Sequence, residues 1–168
     1  VVKGEALALP HESLPERNTE QQRTIDNLYA DFSVAGLAYG PTFQGLTKAY
    51  QHQDGTLVHI QKPEGLQSED YHLHPALLDA SLHGLVLSLL GDEAGQEGTV
   101  YLPFALEHYQ LFSKPTSDFW VKTKIDSETS ELVTADLTLY NNRGLCFAMI
   151  QGLQVKAANA QSLKRYNI

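Results

Sequence analysis

The sequence predicts an α+β domain in which one buried helix is wrapped by an antiparallel sheet. Three observations predict it. From Pro75 to Leu90 the chain is apolar on almost every side, which describes a helix buried all round, not one laid on a surface. Val133, Ala135, Leu137 and Leu139 alternate with Thr134, Asp136 and Thr138, the period of a strand in a sheet with one wet face. The strand-like runs after that helix are not separated by further helices, as a parallel sheet would require.

Residues 1–17 carry two prolines, several acids and no sustained periodicity, and read as a linker or edge segment. Asn18 is a candidate helix cap, with Gln21 three positions on as its capping-box partner. Ile25, Leu28, Tyr29 and Phe32 then form one apolar stripe of an amphipathic helix, which Gly36 ends. After the Tyr39-Gly40-Pro41 turn, the runs 46–51 and 56–61 flank Gln53-Asp54-Gly55, a strong hairpin signal. Residues 63–71 read as a polar loop. Pro75 opens the long helix, where its missing N–H costs nothing, and Gly91 stops it. An acidic, glycine-rich loop runs to Thr99, and strands follow over 100–112, 119–125, 132–140 and 145–156. Asn141-Asn142-Arg143-Gly144 supplies the last turn. One buried helix wrapped by an antiparallel sheet is the hotdog arrangement. The expected organisation is a linker or edge segment at 1–17, a hotdog unit at 18–158 and a tail at 159–168.

With 168 residues the chain has the size of one domain, and it buries roughly 70% of its unfolded surface without needing a disulfide or metal. Cys146 is the only cysteine, which excludes an internal disulfide and any metal site built on paired cysteines, and fits a reducing cytoplasm. The net charge is −8, from 12 basic and 20 acidic residues, so phosphate backbones would repel the chain. Lys164-Arg165 is the nearest approach to a basic patch, and nucleic-acid binding is not expected. The apolar run from Leu77 to Leu90 is too short to cross a bilayer, and no signal-peptide core precedes it. The first residues, Val-Val-Lys, suggest a segment of a longer polypeptide.

Three separated motifs carry a family resemblance. Tyr39-Gly40-Pro41-Thr42-Phe43 resembles the Tyr-Gly-Pro-x-Phe motif of polyketide synthase dehydratases. His74-Pro75-Ala76-Leu77-Leu78-Asp79-Ala80-Ser81-Leu82-His83 is similar to that family's His-Pro-x-x-x-Asp-x-x-x-Gln/His, and Leu102-Pro103-Phe104 to its Leu-Pro-Phe strand. The resemblance spans residues 22–158 or so. It implies one half of a double hotdog: in the family, a first half donates a catalytic His from His-x-x-x-Gly-x-x-x-x-Pro, and a second half donates an Asp. None of the seven histidines sits in that His motif, so this chain resembles the second, C-terminal half.

The family reaction removes water from a 3-hydroxyacyl thioester held on an acyl carrier protein. A base takes the α-proton while an acid protonates the departing hydroxyl. The acid must keep its proton at neutral pH, and burial among apolar groups favours the protonated form of a carboxyl. The resemblance implies Asp79 as that acid, placed among Leu78, Ala80, Leu82, Leu85 and Val86; the plainer alternative is a helix aspartate facing water. His83, one turn on and on the same face, would orient Asp79 or the leaving hydroxyl. A structural Asp/His pair, or half of a metal site with no evident third ligand, are its alternatives. Tyr39 would donate a hydrogen bond near the substrate, unless it is a packed turn aromatic. Gly40, Pro41, Phe43, Pro75, Leu102, Pro103 and Phe104 form the implied substrate-binding set, with Gly40 and Pro41 shaping the turn. His74 would hold the helix start; His11, His52, His59, His72 and His108 have no motif support, and Trp120 reads as core or interface.

No cofactor or metal is implied beyond the phosphopantetheine arm that carries the substrate. The implied partners are an acyl carrier protein and the first hotdog half, with no nucleic acid or membrane. An isolated half would expose an apolar face and self-associate, most simply as a homodimer. Other functions that the motifs leave open are oxygen-addition cyclisation, product templating, a non-catalytic hotdog that docks a carrier protein, and a free-standing thioesterase or hydratase.

Overall fold

The computed structural model describes residues 13–90 and 99–159. Residues 1–12 of the expected linker, the helix stop at Gly91 with the loop to 98, and residues 160–168 of the tail lie outside the described residues.

Eight strands form one antiparallel sheet: β1 (Gln22–Arg23), β2 (Leu46–His52), β3 (Gly55–Gln61), β4 (Thr99–Ala105), β5 (His108–Leu111), β6 (Asp118–Glu128), β7 (Leu132–Tyr140) and β8 (Cys146–Asn159). Their order is β1-β2-β3-β6-β7-β8-β4, with β5 also paired to β8. The helices are α1 (Leu28–Ala35) and α2 (Pro75–Leu90). Because β3 pairs with β6, α2 leaves the sheet after β3 and packs back across it. Its Leu77, Ala80, Leu85 and Leu87 share one core with Val58, Ile60, Val121, Leu137 and Ile150. Each such aliphatic side chain contributes about 1.5–3 kcal/mol by leaving water.

The helix starts where its punctuation says, at Pro75. The His74 imidazole accepts the Ala76 N–H at 3.0 Å through Nδ1, satisfying one of the donors that a helix start leaves unpaired. This is the helix-holding role expected of His74. At the other end, the Arg23 guanidinium donates to the Leu87 carbonyl at 2.8 Å, tying edge strand β1 to the last turns of α2. Between them, Gly84 sets the distance between helix and sheet. A Cβ there would stand 3.0 Å from a Val58 methyl and 3.1 Å from Thr56 Oγ1, and Thr56 donates to the Gly84 carbonyl at 2.9 Å. The helix rests on β3 at that point because nothing but a hydrogen projects from it.

Three expectations need correction. The N-terminal helix is eight residues long and begins at Leu28. Asn18 does cap, accepting the Glu20 N–H, but it caps a single 3-10 turn at Thr19–Gln21. Gln22 and Arg23 then pair with Tyr50 and Ala49 of β2, which holds them extended and delays the helix. Gly36, at φ 108°, ends α1 as expected, returning its N–H to Phe32 and Ser33. Secondly, the strand expected over 100–112 is two strands, broken at Leu106-Glu107. Its register slips between Pro103 and Ala105, where proline offers no N–H to the ladder. Gly152 of β8 turns left-handed at φ 61° directly beneath Glu107. Thirdly, α2 is not covered all round. Leu78, Asp79 and Leu82 are half-buried, because the sheet wraps one side of the helix and leaves this stripe to a groove. Residues 13–17, read as a linker or edge segment, lie against the sheet. Leu14 and the Arg17 guanidinium, 4.9 Å from the Trp120 ring centre, lie over a second small cluster of Tyr50, Leu57, Trp120 and Tyr140.

The other strand signals stand in the structure. Val133, Ala135, Leu137 and Leu139 are buried and their alternates half-buried. The Asn141 carboxamide accepts the N–H groups of Arg143 and Leu145 to build the last turn. His59 spans three strands through Asp118, at 3.0 Å, and Thr47, at 2.6 Å. Among the described residues, no helix is long and apolar enough to cross a membrane.

Candidate active site

The site is built on the N-terminal half of α2. Asp79 and His83 are one turn apart, and His83 Nε2 lies 3.1 Å from Asp79 Oδ2. Their environments differ sharply: the His83 side chain is 1% exposed, whereas that of Asp79 is 35% exposed. The carboxylate therefore stands at the rim of the core, with the imidazole holding it from beneath. The apolar enclosure expected for Asp79 is incomplete in this chain.

Three aromatic rings from α1 and the loop after it enclose His83. Tyr39 packs against the imidazole at 4.4 Å between ring centres, Tyr29 at 5.6 Å and Phe32 at 5.7 Å, the latter two edge-on. Burial and the Asp79 charge push the Tyr39 hydroxyl up to about 12, so at neutral pH it remains a donor. Tyr39 is thus brought beside His83 and within the influence of the Asp79 charge. Its backbone carbonyl accepts the Gln44 amide at 2.9 Å, which fixes the turn.

Tyr29 was not singled out by the sequence. Its hydroxyl oxygen accepts the Leu46 N–H at 2.9 Å and lies 3.1 Å from His83 Nδ1. The only signal was a phenol inside an otherwise apolar helical stripe, since a buried Tyr hydroxyl needs a partner. Burial first, and the neighbouring Tyr39 and Asp79 next, push its acidity well below that of ordinary tyrosine, against the opposing Leu46 hydrogen bond.

The remaining candidates divide into two groups. Pro103 and Phe104 line an apolar groove of about 560 Å³ together with Leu78, Leu82, Leu106 and Tyr109. Phe104 is 53% exposed, with the Lys156 ammonium 4.3 Å from its ring centre, so this end of β4 borders a groove. Leu102, half-buried, is not among the groove's lining residues. At the other end, Pro41 and Phe43 form a 3-10 turn that packs against α2, and Phe43 is itself exposed. Gly40 has open space around it and an ordinary φ of −68°. The close approach in this motif is instead at Gly45, where a Cβ would meet Ala80 Cβ at 3.1 Å. Pro75 opens α2 behind the His74 cap.

The chain thus sets a buried histidine against a half-exposed aspartate on the central helix of a hotdog-type fold, and its class follows from comparison with known proteins. Residues 8–165 match the family described as polyketide synthase dehydratase N-terminal domain, and the chain belongs to that family. It is 32% identical over 146 residues to polyketide synthase PksM of Bacillus subtilis (strain 168), covering 82% of this chain and 3% of that protein. Among solved structures it is similar to the dehydratase domain of RzxB from Pseudomonas fluorescens. That match has a TM-score of 0.76 and 25% identity, over 89% of this chain and 54% of the other. A second is the CurK dehydratase of curacin polyketide synthase in an inactive aspartate-to-asparagine mutant, with a TM-score of 0.71 and 31% identity over 82% of this chain and 49% of the other. The chain thus spans about half of these dehydratase domains and a few per cent of the synthase.

Proposed function

We propose that this chain is the aspartate-bearing, C-terminal half of a polyketide synthase dehydratase, with Asp79 as the general acid. The observation that carries the reading is the Asp79–His83 pair at 3.1 Å, set on α2 beside the apolar groove. The family is described as the N-terminal domain; motif content supports the second-half reading. The chain contains the Asp motif and no His-x-x-x-Gly-x-x-x-x-Pro. That a CurK variant with asparagine for an aspartate is inactive supports an acid role for an aspartate in this fold.

The reaction is the elimination of water from a 3-hydroxyacyl thioester carried on the phosphopantetheine arm of an acyl carrier protein. A histidine of the preceding half removes the α-proton, and the electron pair becomes the new double bond. The C–O bond breaks as Asp79 delivers its proton to the departing oxygen, so that water leaves. Asp79, left as a carboxylate, is reprotonated from the base. The groove between α2 and the β4–β5 edge receives the acyl chain, and Tyr39 donates to the substrate oxygen. No step calls for a metal or redox cofactor.

Two measurements test this. Dehydration of a 3-hydroxyacyl thioester is expected only when the chain is extended upstream to include the preceding half, because the base is supplied there. Full activity of the 168-residue chain alone would make it a self-sufficient hotdog enzyme, and inactivity of both would favour a carrier-docking module. The isolated chain is also expected to self-associate through the exposed Phe104, Leu106 and Tyr109. Light scattering after size exclusion would show a dimer or larger species; a monomer at all concentrations would refute the exposed interface.

A further inference from the structure

The acid site contains a hydrogen-bond chain that begins on the backbone. Among the described residues, the Tyr29 hydroxyl meets two hydrogen-bonding groups, the Leu46 N–H at 2.9 Å and His83 Nδ1 at 3.1 Å. The Leu46 N–H can only donate, so the phenol oxygen accepts there. Of the two groups, only Nδ1 can accept the phenolic hydrogen; were the oxygen to accept from both, that buried hydrogen would have no acceptor among the described residues. A neutral imidazole that accepts at Nδ1 carries its proton on Nε2, which lies 3.1 Å from Asp79 Oδ2. The peptide N–H sets the first bond, and satisfying the phenolic hydrogen sets the two that follow.

We propose that Tyr29 is a positioning residue that fixes the His83 tautomer, making Nε2–H the donor to Asp79 Oδ2 and thereby placing the transferable carboxyl proton on Oδ1. With the other tautomer, Nε2 would accept, and the Asp79 proton would sit on Oδ2, spent on His83 beneath the site. Tyr29 thus selects which oxygen is the acid. His83 is 1% exposed, so water cannot substitute for the phenol at Nδ1 without opening the core. Phe32 and Tyr39 pack edge-to-face on Tyr29 at 5.9 and 6.0 Å and hold its ring in line. The inference rests on the acid role proposed for Asp79 but makes a statement about His83 that is independent of turnover.

The test uses the dehydratase extended to both halves, with isotope-labelled histidine, and follows the two His83 ring nitrogens by NMR. The parent protein should show one tautomer, protonated at Nε2. Tyr29→Phe, which keeps the ring and removes only the oxygen, should shift both nitrogens toward a mixture of tautomers and lower kcat about tenfold, the worth of one buried hydrogen bond. A proton on Nδ1 in the parent, or His83 nitrogens unchanged in Tyr29→Phe, would overturn the proposal. A second comparison separates positioning from packing: His83→Gln presents a carboxamide that cannot tautomerise. In that background Tyr29→Phe should change kcat less than about threefold, because the amide donor keeps its place. An equal loss in both backgrounds would make Tyr29 a packing residue. If the extended protein fails to dehydrate at all, the acid reading of Asp79 falls, while the nitrogen shifts still decide the relay.

Discussion

Asp79→Asn in the dehydratase carrying both halves should lower kcat by roughly 10²- to 10⁴-fold, the range that positioned acid–base groups contribute. The substitution is nearly isosteric and leaves the fold alone. On the proposed tautomer, a carboxamide oxygen still accepts the His83 Nε2–H, so the contact at 3.1 Å has a successor. What asparagine lacks is a proton to give to the leaving hydroxyl. The loss should therefore fall on kcat, with KM nearly constant, because a group that acts only in the transition state contributes little to ground-state binding. Steady-state kinetics on a 3-hydroxyacyl thioester decide the matter, with circular dichroism as the control on folding. Activity within about threefold of the parent would remove Asp79 from the chemistry.

Phe32→Ala should cost about 3–5 kcal/mol of stability, the range for deleting a fully buried aromatic ring. Phe32 has no exposed surface, and its ring meets Tyr29 at 5.9 Å, Tyr39 at 5.8 Å and His83 at 5.7 Å. Alanine would leave a void against the Tyr29 and Tyr39 rings and the imidazole they enclose. Two effects should then appear together in chemical-denaturation and kinetic measurements: a lower unfolding midpoint and a loss of activity in the molecules that remain folded. A cost under about 1 kcal/mol would mean that the aromatic cluster repacks around the hole.

Much of this architecture was legible because it is written in periodicity and punctuation. Pro75 and the apolar run to Leu90 bound α2 at the residues observed, and the Asp54-Gly55 turn and the alternation in β7 hold in the structure. What failed was local evidence overruled by distant pairing. Asn18 has the chemistry of a cap and uses it, but the pairing of Gln22 and Arg23 with β2 keeps the next residues from being helical. The split between β4 and β5 depends on a register slip and on the left-handed Gly152 across the sheet, neither of which has a period. In the site, the Asp79–His83 spacing was readable because one helix turn separates them. Tyr29 was not, because a helical stripe counts tyrosine as apolar, and its hydroxyl finds His83 only once α1 and α2 are folded together.

One of the groups that align the acid site is not a side chain. The Leu46 amide, which orients the Tyr29 hydroxyl, comes with every amino acid except proline. Sequence drift at position 46 can change the packing of β2, yet it cannot reverse the polarity of the chain from Leu46 to Asp79 by altering that donor. On the proposed relay, the orientation of the acid proton is referred to the peptide backbone, the part of a protein that substitution hardly reaches.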